Sequence, residues 1–366
     1  MRIDVLRADE LTATHRATWR DLVARDPQLW GPFFGLGFVD MIARFRGDVL
    51  IAVFEFDGAV CGFLPVQRPR GARVAMPIGA PLCDYQGLIA AADFLPDWPK
   101  TLRALGVDRL DFPNALGEQQ AFAASIRQSD EAFVVRFAGI EPPFSRWLRA
   151  QGSRTVRRLD GSRRKMGREI GEIRVEHHSA SRAALDFLFA YKSAQYRRTR
   201  QPDLLDRRAW TRAVIENYAT QAGEDLFGAM SVLYAGDRIA AVNLGLRTSR
   251  VWHGSFITHD PDLEMYSPGL CLFLDVFDEA QRLGLAELDL STQSFGYKDK
   301  FANARRAVGA GFVGRRSLPC LARRAHYAAA ALAERLPLGP AKHWPAKAMR
   351  RLDLLRAMRS PNRAVF

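Results

Sequence analysis

The residues best suited to chemistry cluster between positions 250 and 301. The run at 250–257 (Arg-Val-Trp-His-Gly-Ser-Phe-Ile) is rich in β-forming residues and reads as a strand. Alternation along a strand puts His253 on one face with Val251, Ser255 and Ile257. An imidazole titrates near neutral pH, so His253 is a candidate general base. The plainer reading is a core histidine bonded to a main-chain carbonyl. His259, Asp260 and Glu264 in the following polar loop are alternatives. Gly254 interrupts the strand, which marks a bulge or a close approach of backbone.

Beyond that loop stand Tyr266, Ser267, Pro268, Gly269 and Leu270. Ser267 is a suitable N-cap and Pro268 suits a first helical position. Leu270, Leu272, Phe273, Val276, Phe277, Ala280 and Leu283 then fall at helical spacing. A helix start offers free N–H groups and a positive dipole end, and Gly269 lets a ligand approach, so this is a candidate phosphate cradle. Ser-Pro-Gly also opens many purely structural helices. After a further strand at 288–292 comes Gln-Ser-Phe-Gly-Tyr-Lys at 293–298. Tyr297 and Lys298 thus sit just past a strand's carboxyl end, where open α/β sheets gather ligand contacts. Lys298 is suited to an anionic group of substrate or donor, or is plain surface.

The elements that must hold these residues occur twice. One apolar pair of runs turns at Asp57-Gly58, the other at Gly236-Asp237, each reading as a β-hairpin. Leu105-Gly106, followed by Leu110-Asp111-Phe112, parallels Leu283-Gly284, followed by Leu288-Asp289-Leu290. In each, a glycine C-cap closes a helix before a new strand. Both features repeat at one offset, which predicts two copies of an α/β unit. The same offset puts Ala90 and Ala91 at the Pro268-Gly269 positions, so a single ligand site is expected, in the second copy. The expected organisation is an N-terminal lobe at 1–141, a basic connecting arm at 142–174, a C-terminal lobe at 175–316 and a basic helical tail at 317–366.

The chain has 366 residues, 48% hydrophobic and 25% charged, which excludes a mostly disordered protein. Lys and Arg number 53 against 40 Asp and Glu, a net charge of +13. Residues 142–174 hold 10 basic and 3 acidic residues, and residues 315–366 hold 12 and 2. These runs fit solvated surface or attraction to an anionic partner: lipid headgroups, nucleic acid or a phosphorylated substrate. Four cysteines without ligand spacing signal neither a zinc site nor a disulfide framework, and a reduced cytoplasmic setting fits. No stretch is long and apolar enough to span a membrane, and no signal peptide is evident. There is no Gly-x-Ser-x-Gly elbow and no His-Glu-x-x-His; the adjacent His177 and His178 would point to opposite faces of a strand. No metal is expected.

On Tyr266-Ser-Pro-Gly269, Leu288-Asp-Leu290, Tyr297-Lys298 with Phe301, Gly62-Phe-Leu-Pro65 and Asp84-Tyr-Gln-Gly87, the sequence resembles the GNAT superfamily. More narrowly it is similar to the CelD-type acetyltransferases associated with cellulose and other polysaccharide biosynthesis, relatives of the FemAB-like double-GNAT proteins. The resemblance covers roughly residues 15–315. It implies an α/β fold of two tandem GNAT-like lobes, and an acetyl-CoA or other acyl-CoA site in the second. Gly254 and residues 266–270 would bind the donor. The glycine-rich Gln/Arg-x-x-Gly-x-Gly/Ala loop of most GNAT enzymes is replaced here by Tyr-Ser-Pro-Gly. Tyr297 is the candidate general acid, a role the resemblance implies because a tyrosine after this strand often has it in GNAT enzymes; the plainer reading is a tyrosine packed under the tail. Asp84, Tyr85 and Gln86 are candidates for the acceptor side. The expected acceptor is a small molecule or glycan, with peripheral contact to an anionic membrane through the basic segments. FemAB-like relatives imply a second reading, a tRNA-dependent aminoacyl transferase, the one case in which nucleic acid would be a partner. A third is a non-catalytic double-GNAT scaffold at an anionic membrane surface.

Overall fold

The computed structural model describes residues 1–206, 209–292, 296–337 and 339–358, apart from the side chain of Pro340. In chain order the first strands and helices are β1 (Arg2–Leu6), α1 (Ala13–Arg25), α2 (Leu36–Phe45), β2 (Val49–Phe56), β3 (Ala59–Gln67), β4 (Val74–Pro77), β5 (Ile89–Ala90), α3 (Trp98–Ala104), β6 (Arg109–Leu116), α4 (Gln120–Ala123) and β7 (Ile126–Arg136). They are followed by α5 (Phe144–Ala150), α6 (Arg154–Glu169), β8 (Ile173–Glu176), α7 (Arg182–Arg198), α8 (Trp210–Thr220), β9 (Phe227–Ala235), β10 (Arg238–Arg247) and β11 (Val251–His259). The last are α9 (Pro268–Arg282), β12 (Glu287–Asp289), β13 (Ala304–Gly314), α10 (Leu318–Arg335) and α11 (Trp344–Met358). The class is mixed α/β.

Two compact units emerge. The first holds residues 1–29 and 33–131 and everything described from Ala307 onward; the second holds 30–32 and 132–306. In the first unit the strands run β1-β2-β3-β4-β6-β13, with β5 on β3. In the second they run β7-β12-β11-β10-β9-β8, β7 entering this unit at Ala132. In each unit one pair is parallel, β4 with β6 and β11 with β12, while the neighbouring pairs are antiparallel.

The duplicated signals take duplicated forms. The β2–β3 turn places Asp57 and Gly58 at φ 49° and 81°, and the β9–β10 turn places Gly236 at φ 59°. Gly106 after α3 and Gly284 after α9 have φ 66° and 70°, the left-handed conformation that ends a helix at lowest cost in glycine. Each unit has its own apolar core. Phe54, Leu64, Leu110, Phe112 and Phe122 anchor the first. In the second, Phe144, Val156, Leu159 and Met166 of α5 and α6 pack with Trp252, Phe273 and Phe277.

Residues 142–174 fold as α5 and α6 within the second unit's core. Gly161 and Gly167 lie inside α6, where isolated glycines cost up to about 1 kcal/mol each. The buried stripe Val156, Leu159 and Met166 offsets that cost by tertiary packing. Part of the arm's positive charge is internally paired: Arg163 with Asp275 of α9 at 2.6 Å and Arg149 with Asp160 at 2.8 Å. The tail helix α10 runs 18 residues, from Leu318 to Arg335.

Candidate functional site

Strand β11 carries the centre of the site because it parts from β12 halfway along. The parallel pairing runs Val251↔Glu287, Trp252↔Leu288 and His253↔Asp289 and then stops, while β11 continues to His259. On its other edge β11 stays paired to β10 from Phe256 to His259. The Asp260 N–H donates to the Ala240 carbonyl at 2.9 Å. Ladder alternation then directs the main chain of Thr258 and Phe256 toward β10, and that of Ile257 and His259 away from it; before Phe256 the register shifts, between Leu244 and Leu246. Among the described residues no strand pairs with that outward edge. Gly254 sits at the parting. A Cβ there would stand 3.8 Å from Asn243 Nδ2, 3.9 Å from the Asp289 carbonyl and 4.0 Å from the Phe273 ring, so a side chain would project into the gap.

The start of α9 meets the far end of the same edge. Gly269 is buried, and a Cβ on it would lie 3.7 Å from His259 Nδ1 and from Ile257. Pro268 occupies the first turn, as expected. Ser267 differs from expectation: it is left-handed (φ 52°, ψ 50°) and its side chain makes no capping bond. Its carbonyl accepts instead from the N–H groups of Leu270 at 3.0 Å and Cys271 at 3.1 Å. The Gly269 N–H, as at any helix start, has no carbonyl of its own helix to meet. The Tyr266 hydroxyl donates to Glu169 of α6 at 2.6 Å, which raises its pKa and ties the loop down. Leu270 is half-buried and packs against the second unit's core. These features suit an extended donor with a phosphate end: one free strand edge, an open glycine and a helix N-terminus in line. They fit an acyl-CoA.

His253 is buried beneath this edge, 1% exposed. Its Nδ1 lies 3.2 Å from Ser255 Oγ and its Nε2 4.0 Å from Asp289. Asp289 is in turn paired with Arg306 and accepts the Ser291 N–H at 2.6 Å. His259 is half-buried, and desolvation lowers its pKa, which favours the neutral imidazole. Tyr297 stacks on Phe273 with centroids 5.6 Å apart, and burial pushes its pKa up to about 12. Lys298 is buried too; its ammonium donates to the Thr292 carbonyl at 2.5 Å and lies over the Phe133 ring, not on open surface. Residues 293–295 of the same motif lie outside the described residues.

Asp84, Tyr85 and Gln86 belong to the first unit. The Asp84 carbonyl accepts from Asn114 Nδ2 at 2.8 Å, and Tyr85 is buried with its ring 6.1 Å from that of Phe33. Gln86 is 3% exposed, and its side-chain amide finds no hydrogen-bond partner among the described residues.

Two residues of the second unit escaped the sequence reading. Asn243 of β10 is buried beside Gly254; its Nδ2 reaches the Phe256 carbonyl at 3.4 Å and its Oδ1 has no partner among the described residues. A lone asparagine inside the apolar run 239–246 was the available signal. Lys192 of α7 sends its ammonium to the Ile257 carbonyl on the free edge at 3.1 Å. Desolvation lowers its pKa to about 8. Nothing near it in sequence marks it out.

Residues 153–299 match a family described as an acetyltransferase (GNAT) domain. No curated protein matches the sequence. The fold is similar to that of the C-terminal domain of a putative lysylphosphatidylglycerol synthetase from Agrobacterium fabrum. The identity is 14%, with 84% of this chain and 93% of that one covered and a TM-score of 0.51. It is also similar to the crystal structure of FemX, with 8% identity, 85% of this chain and 96% of that one covered and a TM-score of 0.51. The matched segment lies within the second unit and includes β11, the start of α9 and Tyr297, so the likeness to a GNAT acetyltransferase domain falls on the second unit.

Proposed function

We propose that the protein is an acyl-CoA-dependent acyltransferase, acetyl-CoA being the simplest donor, with its donor site on the second unit. The observation that carries this reading is the parting of β11 from β12 at Gly254, with the first turn of α9 at the far end of the same free edge. An acyl-CoA bound there supplies an activated thioester. The outward N–H of Ile257, and the main chain where the ladder is irregular at Gly254 and Ser255, are donors for an extended chain and for a polarised carbonyl oxygen. The α9 N-terminus and Gly269 favour a phosphate. Tyr297, kept protonated by burial, holds a transferable proton. His253 exchanges a proton at Nδ1 through Ser255 Oγ, with Asp289 near its other nitrogen. The acceptor is an amine or hydroxyl of a small molecule or glycan. A role in polysaccharide or envelope biosynthesis rests on the CelD-type resemblance of the sequence.

Calorimetry with acetyl-CoA, followed by turnover of Tyr297→Phe and His253→Ala, tests this. Acetyl-CoA should bind the native chain, and each substitution should lower turnover by about 100-fold or more with little change in donor affinity. Absence of binding sinks the donor assignment. Full turnover in both variants sinks the residue roles. Turnover that requires charged tRNA, with binding that falls steeply with salt, replaces acyl-CoA by an aminoacyl-tRNA donor.

A further inference from the structure

Helix α10 is mounted with its charge inward and its leucines outward. The face turned to the first unit carries Cys320, Arg323 and Tyr327. Arg323 is 5% exposed, and its guanidinium bonds Asp111 of β6 at 2.6 Å and Asp353 of α11 at 2.8 and 2.9 Å. The Tyr327 ring stacks on Phe312 of β13. On the opposite side Leu318, Leu321, Ala325, Ala328, Leu332 and Leu336 recur three and four residues apart, forming one stripe. Leu318 is 81% exposed, Leu321 63% and Leu332 59%.

This concentration is not scatter. Of the ten large apolar residues that stand exposed among the described residues, six fall between Leu318 and Leu352. A buried, doubly paired arginine fixes which way the helix faces, so the leucines cannot turn in without stranding that charge. Arg324 and Arg335 flank the stripe. On α11 the exposed Trp344 shares a side with Lys347 and Arg351. Residues 318–358 hold eight Lys and Arg against two acids. Leucine and tryptophan bordered by arginine and lysine suit a helix lying in the headgroup region of a bilayer. Among the described residues no helix is long and apolar enough to cross one. Self-pairing along the stripe would bring Arg324 and Arg335 of two copies together with no facing acid on the stripe, which disfavours a second copy of the chain.

We propose that the outward face of α10 and α11 binds the surface of a membrane containing anionic lipid. The experiment uses the full chain without any acyl donor, so it is independent of the acyltransferase reading. Sedimentation with vesicles of phosphatidylcholine alone is compared with vesicles holding about one-third phosphatidylglycerol. Binding should require the anionic lipid and weaken as salt rises. The exposed pair Leu321→Ser with Leu332→Ser should reduce partitioning by about tenfold or more with the circular dichroism spectrum and melting temperature unchanged. Arg324→Gln with Arg335→Gln should also reduce it by about tenfold. The proposal is overturned by no binding, by equal binding to neutral vesicles, or by full binding after the leucine substitutions. It is equally overturned if light scattering shows a dimer that those substitutions dissociate, for then the stripe belongs to a second copy.

Discussion

The two units place a short parallel strand pair in similar positions and treat the space beside it in opposite ways. In the second, β11 outruns β12 after His253 and its outward edge at Ile257 and His259 is left without a strand partner among the described residues. In the first, β4 stops at Pro77 and the chain itself returns along β6. Gln86 forms a parallel bridge to Ala115, its N–H donating to the Asn114 carbonyl at 3.0 Å and its carbonyl accepting from Leu116 N–H at 2.9 Å. Gln119 then clamps Leu88, accepting its N–H and donating to its carbonyl, both at 2.8 Å. Where the second unit starts a 15-residue helix at Pro268-Gly269, the first has Ala90 in β5, paired to Gly62, and only a seven-residue α3 later on. One unit fills its gap with its own backbone; the other keeps strand-edge donors available. Backbone donors left open are costly unless solvated or bound, so an open edge preserved in only one of two similar units supports the donor site proposed on that unit.

The comparison can be broken most forcefully at Gln119. Replacement by Ala strands the Leu88 N–H and C=O in a buried place and should cost about 2–4 kcal/mol in urea unfolding, with faster amide exchange at Leu88. Acetyl-CoA affinity should stay within about twofold, since Gln119 belongs to the unit that does not carry the proposed donor edge. A large loss of affinity would show that the two units do not divide their roles in this way.

Valine at two glycines sharpens the contrast. At Gly87 an added Cβ would meet Leu116, Gln119 and Phe34 at 3.0–3.2 Å, so Gly87→Val should cost about 1–3 kcal/mol and lower the melting temperature without touching affinity. At Gly254 the surroundings are at ordinary contact distance, so Gly254→Val should melt normally yet bind acetyl-CoA about tenfold or more weakly, roughly 1.4 kcal/mol. If Gly254→Val binds as well as the native chain, the donor does not lie between β11 and β12.

The smallest effect concerns Lys192. Its folded pKa of about 8 lies below the unfolded value near 10.5. Between those values the unfolded chain binds the extra proton, so this group makes stability rise with pH across that window, with no change below about pH 7. In Lys192→Met that component of the slope should vanish. An unchanged slope would mean that the ammonium is not buried against the Ile257 carbonyl.

Much of the local structure is written in short runs. Asp57-Gly58 and Gly236-Asp237 are the hairpin turns, Leu105-Gly106 and Leu283-Gly284 close their helices, and Pro268 opens α9. The strand read at 250–257 is β11 at Val251–His259, and the one read at 288–292 is the shorter β12 at Glu287–Asp289. Less was legible where a side chain's partner comes from far along the chain. Ser267 has capping chemistry, but its left-handed backbone leaves the hydroxyl out of the cap. Lys298 reads as a loop cation, yet its ammonium is bonded inside. Asn243 and Lys192 matter only because β10 and α7 bring them to one stretch of β11.

The amino-acid sequence alone determined the repeated α/β pattern, the turns, the helix start at Pro268 and the placing of the basic runs. Those follow from backbone preferences and side-chain periods of neighbouring residues. Only the tertiary structure decided where β11 leaves β12, that residues 84–90 occupy the corresponding place in the first unit, and that α10 turns its arginine in and its leucines out. Those outcomes depend on strand pairing and on burial of charge between segments tens to hundreds of residues apart, which no local window of sequence contains.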